Sequence, residues 1–253
     1  MSYLSINNIT MNYHSPDGVT EALSNVSFSV SEGDFISILG PSGCGKSTLL
    51  NIIVGLLVPS EGTILFKDSP IKSHEDLFGY MFQRDHLFEW LTVYSNITLG
   101  LRIKKQLTAE KIDLVNNLID LYSLSEFKKH RPNELSGGMR QRAALIRTLA
   151  LNPQILLLDE PFSALDYQTR LKVCDEIYKI IKQENKTAIM VSHDISEAIS
   201  TSSKIIILSK RPSTIKDIIE LNFDPILSPL ERRDAPQFKE YFNIIWKELD
   251  TND

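Results

Sequence analysis

The stretch Gly40-Pro41-Ser42-Gly43-Cys44-Gly45-Lys46-Ser47-Thr48 fits G-x-x-x-x-G-K-[ST] without a mismatch, and it constrains the chain more than any other segment. That motif needs a strand before it and a helix after it. Phe35-Ile36-Ser37-Ile38-Leu39 is apolar and β-prone, and Leu49-Leu50-Asn51-Ile52-Ile53-Val54 suits a helix packed on a sheet. Glycines let successive backbone N–H groups turn inward around a polyphosphate with no Cβ in the way. The helix start adds unpaired N–H groups and the positive end of its dipole. Lys46 supplies a mobile point charge for the β- and γ-phosphates, and the Ser47 hydroxyl is placed to ligate Mg²⁺. The loop predicts binding of a nucleoside triphosphate, against the plainer alternative of a Gly/Ser turn. Cys44 sits inside it, so alkylation there is expected to block turnover and bound nucleotide to protect.

The 253 residues suit one large domain, or one with a subdomain. With 42% hydrophobic and 23% charged residues, the chain can bury a core without staples. A net charge of −5 lacks the overall basic footprint of a nucleic-acid binder. Two cysteines, Cys44 and Cys174, make neither a disulfide framework nor a zinc site, which points to a reducing compartment. The first residues have neither the basic nor the apolar region of a signal peptide. Aliphatic runs such as Ile155 to Leu158 are too short to span a bilayer, so work at a membrane would require docking on another chain.

Residues 3–30 read as short strands, Tyr3 to Ile6 and Val26 to Val30, with a turn at Ser15-Pro16-Asp17-Gly18. Tyr13, before that turn, either stacks on a purine base or is a strand tyrosine half in the core. Gly62 to Phe66 and Leu77 to Phe82 are strand-like. Gln83 follows, where ligands collect in an α/β sheet; it reaches Mg²⁺ or the attacking water, or simply ends a strand.

From residue 85 to 150 helical spacing replaces strand signals, with Ile112, Val115, Leu118, Ile119 and Tyr122 on one face. Ser136, Gly137 and Gly138 open the helix that carries Gln141: a second anion site at a helix start, or an ordinary N-cap. Ile155 to Leu158 suits a strand buried on both faces, ending in Asp159 and Glu160. Neighbouring side chains on a strand point opposite ways, so Asp159 can serve Mg²⁺ while Glu160 polarises the attacking water.

A helix with Leu171, Cys174, Ile177, Tyr178 and Ile181 inward precedes a strand at Thr187 to Val191. His193, beyond that strand, either hydrogen-bonds the γ-phosphate or is structural. Two late strands flank Arg211-Pro212, and residues 236–249 form an amphipathic helix that closes the core or serves as a docking face.

Taken together, this ordered set resembles the ATP-binding subunit of an ABC transporter. On that resemblance Gly40 to Thr48 is the Walker A loop and Leu135 to Gln141 the signature, while Ile155 to Glu160 matches Walker B and Ser163 to Asp166 the D-loop. Gln83 then stands as the Q-loop glutamine, His193 as the switch histidine and Tyr13 as the aromatic that stacks on adenine. The resemblance implies an α/β fold: a P-loop NTPase with a RecA-like core, an N-terminal antiparallel β subdomain and an inserted α-helical subdomain. One ATP-binding domain would span 1–253, with core and β parts at 1–84 and 151–253 and the helical part at 85–150.

In such proteins two subunits, alike or different, join head to tail around two ATP molecules. Ser136, Gly137, Gly138 and Gln141 would act in trans, and Asp166 would be the D-loop residue. ATP and Mg²⁺ would be the cofactors, the metal held by Ser47, Gln83 and Asp159, with Glu160, His193 and Gln83 catalytic. Gln83 and the helical part would contact transmembrane permease subunits at the cytoplasmic face of the membrane, with an extracytoplasmic solute-binding protein as indirect partner and no nucleic acid.

The stretch from Glu89-Trp90 to Ile97, the Met139 to Arg142 run and the aromatic tail resemble the nitrate/sulfonate/taurine importer group, which also carries vitamin precursors; Glu89 stands where that group often has proline. The alternatives are a soluble ABC ATPase acting on DNA or ribosomes, an ABC exporter subunit, and an unrelated P-loop kinase or GTPase.

Overall fold

Ile155–Asp159 (β7) places Ile155 and Leu157 in one apolar core and Leu156 and Leu158 in another, so the aliphatic run lies inside a sheet covered on both faces. In this computed structural model, which describes residues 2–16, 18–71, 77–163 and 165–250, that sheet has six strands. The others are Phe35–Leu39 (β3), Phe78–Met81 (β6), Thr187–Val191 (β8), Lys204–Leu208 (β9) and Ile215–Glu220 (β10), in the order β10-β9-β3-β8-β7-β6. All pairings are parallel except β10 on β9.

Strand β3 lies between β8 and β9, with β7 beyond β8. The chain segments leaving β3, β6, β7, β8 and β9 therefore reach one edge, where a doubly wound sheet binds its ligand. Gly40, Gln83, Asp159, Glu160, His193 and Arg211 all lie in or just beyond those strand ends.

A second sheet, of order β2-β1-β4-β5, is antiparallel. Its main strands are Leu4–Ser15 (β1), Gly18–Val30 (β2) and Glu61–Phe66 (β4), with Ser69–Pro70 (β5) at one edge. The two short strands expected before residue 30 are thus a hairpin of 12- and 13-residue strands. Register shifts between Ile6 and Asn12 break the alternation that would have marked its length. Asp17 of the expected turn lies outside the described residues.

Lys46–Ile53 (α1) is held between this sheet and the six-stranded one, in a core with Leu4, Ile6, Ile38, Leu49 and Leu157. The opposite face carries Val93–Ile97 (α2), Leu99–Ile103 (α3), Ala109–Leu121 (α4), Gly137–Leu149 (α5) and Tyr167–Gln183 (α6), packed on Leu156, Leu158 and Met190. Val115, Leu118, Ile119 and Tyr122 are buried there, as their spacing predicts, while Ile112 of the same face is half-buried. Ile195–Thr201 (α7), Pro229–Asp234 (α8) and Pro236–Asp250 (α9) complete the chain. Helix α9 seats Ile245 against Ile205 and Ile207, so it closes a core, while Trp246 stays exposed. Among the described residues no helix is long and apolar enough to cross a membrane.

Candidate active site

Between β3 and α1 the backbone turns through Gly43 at φ +74° and Gly45 at φ +107°, the latter capping α1. A Cβ on Gly45 would stand 2.9 Å from Leu23 Cδ2, the end of a side chain, so it is the left-handed φ that asks for glycine here. Lys46 Nζ donates to the Gly40 and Pro41 carbonyls at 2.8 and 2.9 Å, which folds the lysine back along its own loop. Tyr13 is 40% exposed, and its hydroxyl lies 3.2 Å from Thr48 Oγ1, so it borders the helix start rather than the core. Cys44 is only 2% exposed and packs among core aliphatics. Cys44 does not line the cleft, so the expected effect of alkylation would come through disturbing this packing rather than through direct collision with phosphate.

The carboxylates of Asp159, the last residue of β7, and of Glu160, just beyond it, diverge. Ser47 Oγ donates to Asp159 Oδ1 at 3.1 Å, and the Tyr80 hydroxyl donates to Oδ2 at 3.4 Å. Burial raises the Asp159 pKa, and the Ser47 bond only partly offsets it. A buried carboxylate beside a hydroxyl is a hard-oxygen pair that a divalent cation would relieve of its burial cost, and this fits Mg²⁺. Among the described residues no group of three His, Cys, Asp or Glu could hold a metal alone, so the remaining ligands would have to be other oxygens.

Glu160 ends the strand at φ +44°, a left-handed conformation that turns its side chain away from that of Asp159. Gln83 Nε2 donates to Glu160 Oε2 at 2.7 Å, and His193 Nδ1 stands 3.4 Å from the same oxygen. Gln83, expected on the metal or the water, is thus joined to the carboxylate. Ser42, Gly43, Gly45, Lys46, Ser47, Thr48, Gln83, Glu160 and His193 line one open cleft of about 550 Å³, together with Arg211. Sequence reasoning assigned no role to Tyr80 or Arg211. Period-two spacing from Phe82 back along β6 could have flagged Tyr80, but nothing local marks Arg211.

The 136–141 stretch borders a different surface. Ser136 is exposed and caps α5 by accepting from Met139 N at 3.4 Å, and Gly137 is exposed beside it. Gly138 is closed against α6, where a Cβ would meet Thr169 Cγ2 at 2.9 Å. Gln141, expected to face a partner, is 2% exposed and its Oε1 has no hydrogen bond among the described residues, so it belongs to the packing under α5. None of these residues lines the cleft.

Asp166 caps α6 by accepting from Thr169 N at 3.1 Å. Ala164, in the same 163–166 motif, lies outside the described residues. Arg170 joins this turn to the segment of His193, donating to Leu165 O at 3.0 Å and to Asp194 Oδ2 at 3.3 Å.

This constellation can hold a polyphosphate and a divalent cation, and can present a carboxylate to water. The family model described as ABC transporter matches residues 23–163. An uncharacterized ABC transporter ATP-binding protein, YtlC of Bacillus subtilis, is 46% identical over 99% of this chain and 97% of its own length. The taurine import ATP-binding protein TauB of Roseobacter denitrificans is 37% identical over 97% of this chain and 95% of its own length. Among solved structures, the dimeric post-hydrolysis state of the ATP-binding cassette MJ0796 bound to ADP and Pi matches with TM-score 0.76 and 34% identity, over 87% of this chain and 100% of that one. The chain belongs to the ABC transporter family, as an ATP-binding subunit whose ATPase activity is coupled to transport.

Proposed function

We propose that this chain energises import of a small organic sulfonate such as taurine. The observation that carries its chemistry is Glu160, braced by Gln83 and His193 at the mouth of the phosphate loop. One Glu160 oxygen is engaged by Gln83, and the other is left to take a proton from the attacking water. Lys46 would leave the loop carbonyls for the β- and γ-phosphates, and Tyr13 would carry the adenine. Asp159 and Ser47 would hold Mg²⁺, which supplies charge neutralisation to the transferring phosphate. His193 would donate to the departing γ-phosphate.

The sulfonate assignment rests on the relatives named for taurine import. We further propose that residues 85–150 form the helical part of one ATP-binding domain, the rest being core and β parts. Beside Gln83 an apolar groove of about 400 Å³, bordered by Phe82, Phe88, Ile103 and Leu151, is suited to a helix of a permease subunit at the cytoplasmic face of the membrane. Expression with a taurine-type permease and its solute-binding protein, followed by uptake of labelled taurine into vesicles, tests the proposal. ATP-dependent uptake that Glu160→Gln abolishes is expected. Assembly and ATP hydrolysis without uptake of any organic sulfonate would contradict it.

A further inference from the structure

Arg211 lies in the turn between β9 and β10, far along the chain from the phosphate loop, yet it borders the same cleft as Lys46. Its Nη2 donates to the Gly43 carbonyl at 2.5 Å. The turn that carries it is fixed on two sides. The buried Ser213 hydroxyl donates to the Cys44 carbonyl, with Ser209 O also within reach, so a second bond ties the turn to the phosphate loop. Ser213 N donates to Ala22 O at 3.1 Å, and Ser24 N donates to Ser213 O at 2.9 Å, which anchors the turn on β2. The base of the Arg211 side chain is thus preorganised by main-chain bonds.

A guanidinium has five N–H donors in a planar fork. The Gly43 carbonyl takes one of them, and among the described residues Arg211 forms no ion pair with a carboxylate. Such a fork matches phosphate oxygens better than any other side chain, and it is charged at every working pH. Glu160 lines the cleft and the buried Asp159 lies behind Ser47, so one lysine is a thin charge complement for a triphosphate.

We propose that Arg211 is a second cationic ligand for the nucleotide's polyphosphate, bracing the loop through Gly43 while its free N–H groups contact phosphate oxygen. This inference rests on the ATP-binding reading of the cleft.

The test is the ATP dissociation constant of the full chain and of Arg211→Lys, Arg211→Gln and Arg211→Ala. Glutamine keeps a donor for the Gly43 carbonyl but carries no charge, so it separates bracing from phosphate binding. About tenfold weaker ATP binding is expected for Gln and Ala, and a loss within about threefold for Lys. Gln binding like the unaltered chain, or equal losses in all three variants, would overturn the proposal. If the unaltered chain binds no ATP, the reading of the cleft itself fails, which that measurement shows directly.

Discussion

Glu197 is buried, 4% exposed, and accepts a hydrogen bond from Ser192, the residue before His193. Burial pushes its pKa up to about 7 from the ordinary 4.5. The sign follows from proton binding. Between those two values the folded chain keeps a proton that the unfolded chain has released. Its contribution to stability is full below pH 4.5, falls as pH rises and is gone above about pH 7. The stability of the unaltered chain relative to Glu197→Gln should therefore fall by roughly 3 kcal/mol across that interval. Urea unfolding of both chains at each end of the range measures it, and a pH-independent difference would refute it.

Glu197 had no mark in the sequence, because its burial depends on how α7 packs. Lys46, Ser47, Asp159 and Glu160 were legible because contiguous motifs fix their geometry. Tyr80 and Arg211 were not, since only the sheet order brings them to the loop. The burial of Cys44 was not legible for a related reason: position in a loop does not tell which way a side chain points.

At the scale of elements, Gly62 joins β4 to β1 at φ +96°, where a Cβ would stand 2.4 Å from Asn8 O and 2.6 Å from Asn7 O. Both neighbours are backbone, so neither can swing aside. Gly62→Ala should cost about 2–4 kcal/mol of stability, read as a lower urea midpoint. An unchanged midpoint would show that the β1–β4 junction yields more easily than this geometry allows.

The strands of the six-stranded sheet were legible because burial on both faces leaves unbroken aliphatic runs, whereas the bulged β1–β2 hairpin hid its true length. Glu89 shows a further limit. Its carboxylate lies 2.9 Å from Arg140 of α5, which also holds Asp85 at 2.8 Å. That tie fixes the segment after Gln83 to the helix that Ser136 caps, a link between distant segments that no local pattern announces.

On the scale of the whole molecule, the cleft gathers the loop, Gln83, Glu160 and His193 from four strand ends, while Ser136 and Gly137 lie exposed elsewhere. The phosphate loop and the exposed helix start are thus on separate surfaces of one chain. We propose that a second ATP-binding subunit, in the simplest case a copy of this chain, supplies the missing half by setting its Ser136 against the nucleotide of the first. Glu160→Gln should slow turnover by at least about a hundredfold while ATP still binds, so that the closed state persists. The most direct test is sedimentation of Glu160→Gln with saturating ATP, alone and combined with Ser136→Phe. We predict an ATP-dependent dimer for the single variant and an ATP-bound monomer for the double variant. A monomer in both, or a dimer that ignores Ser136→Phe, would contradict the account.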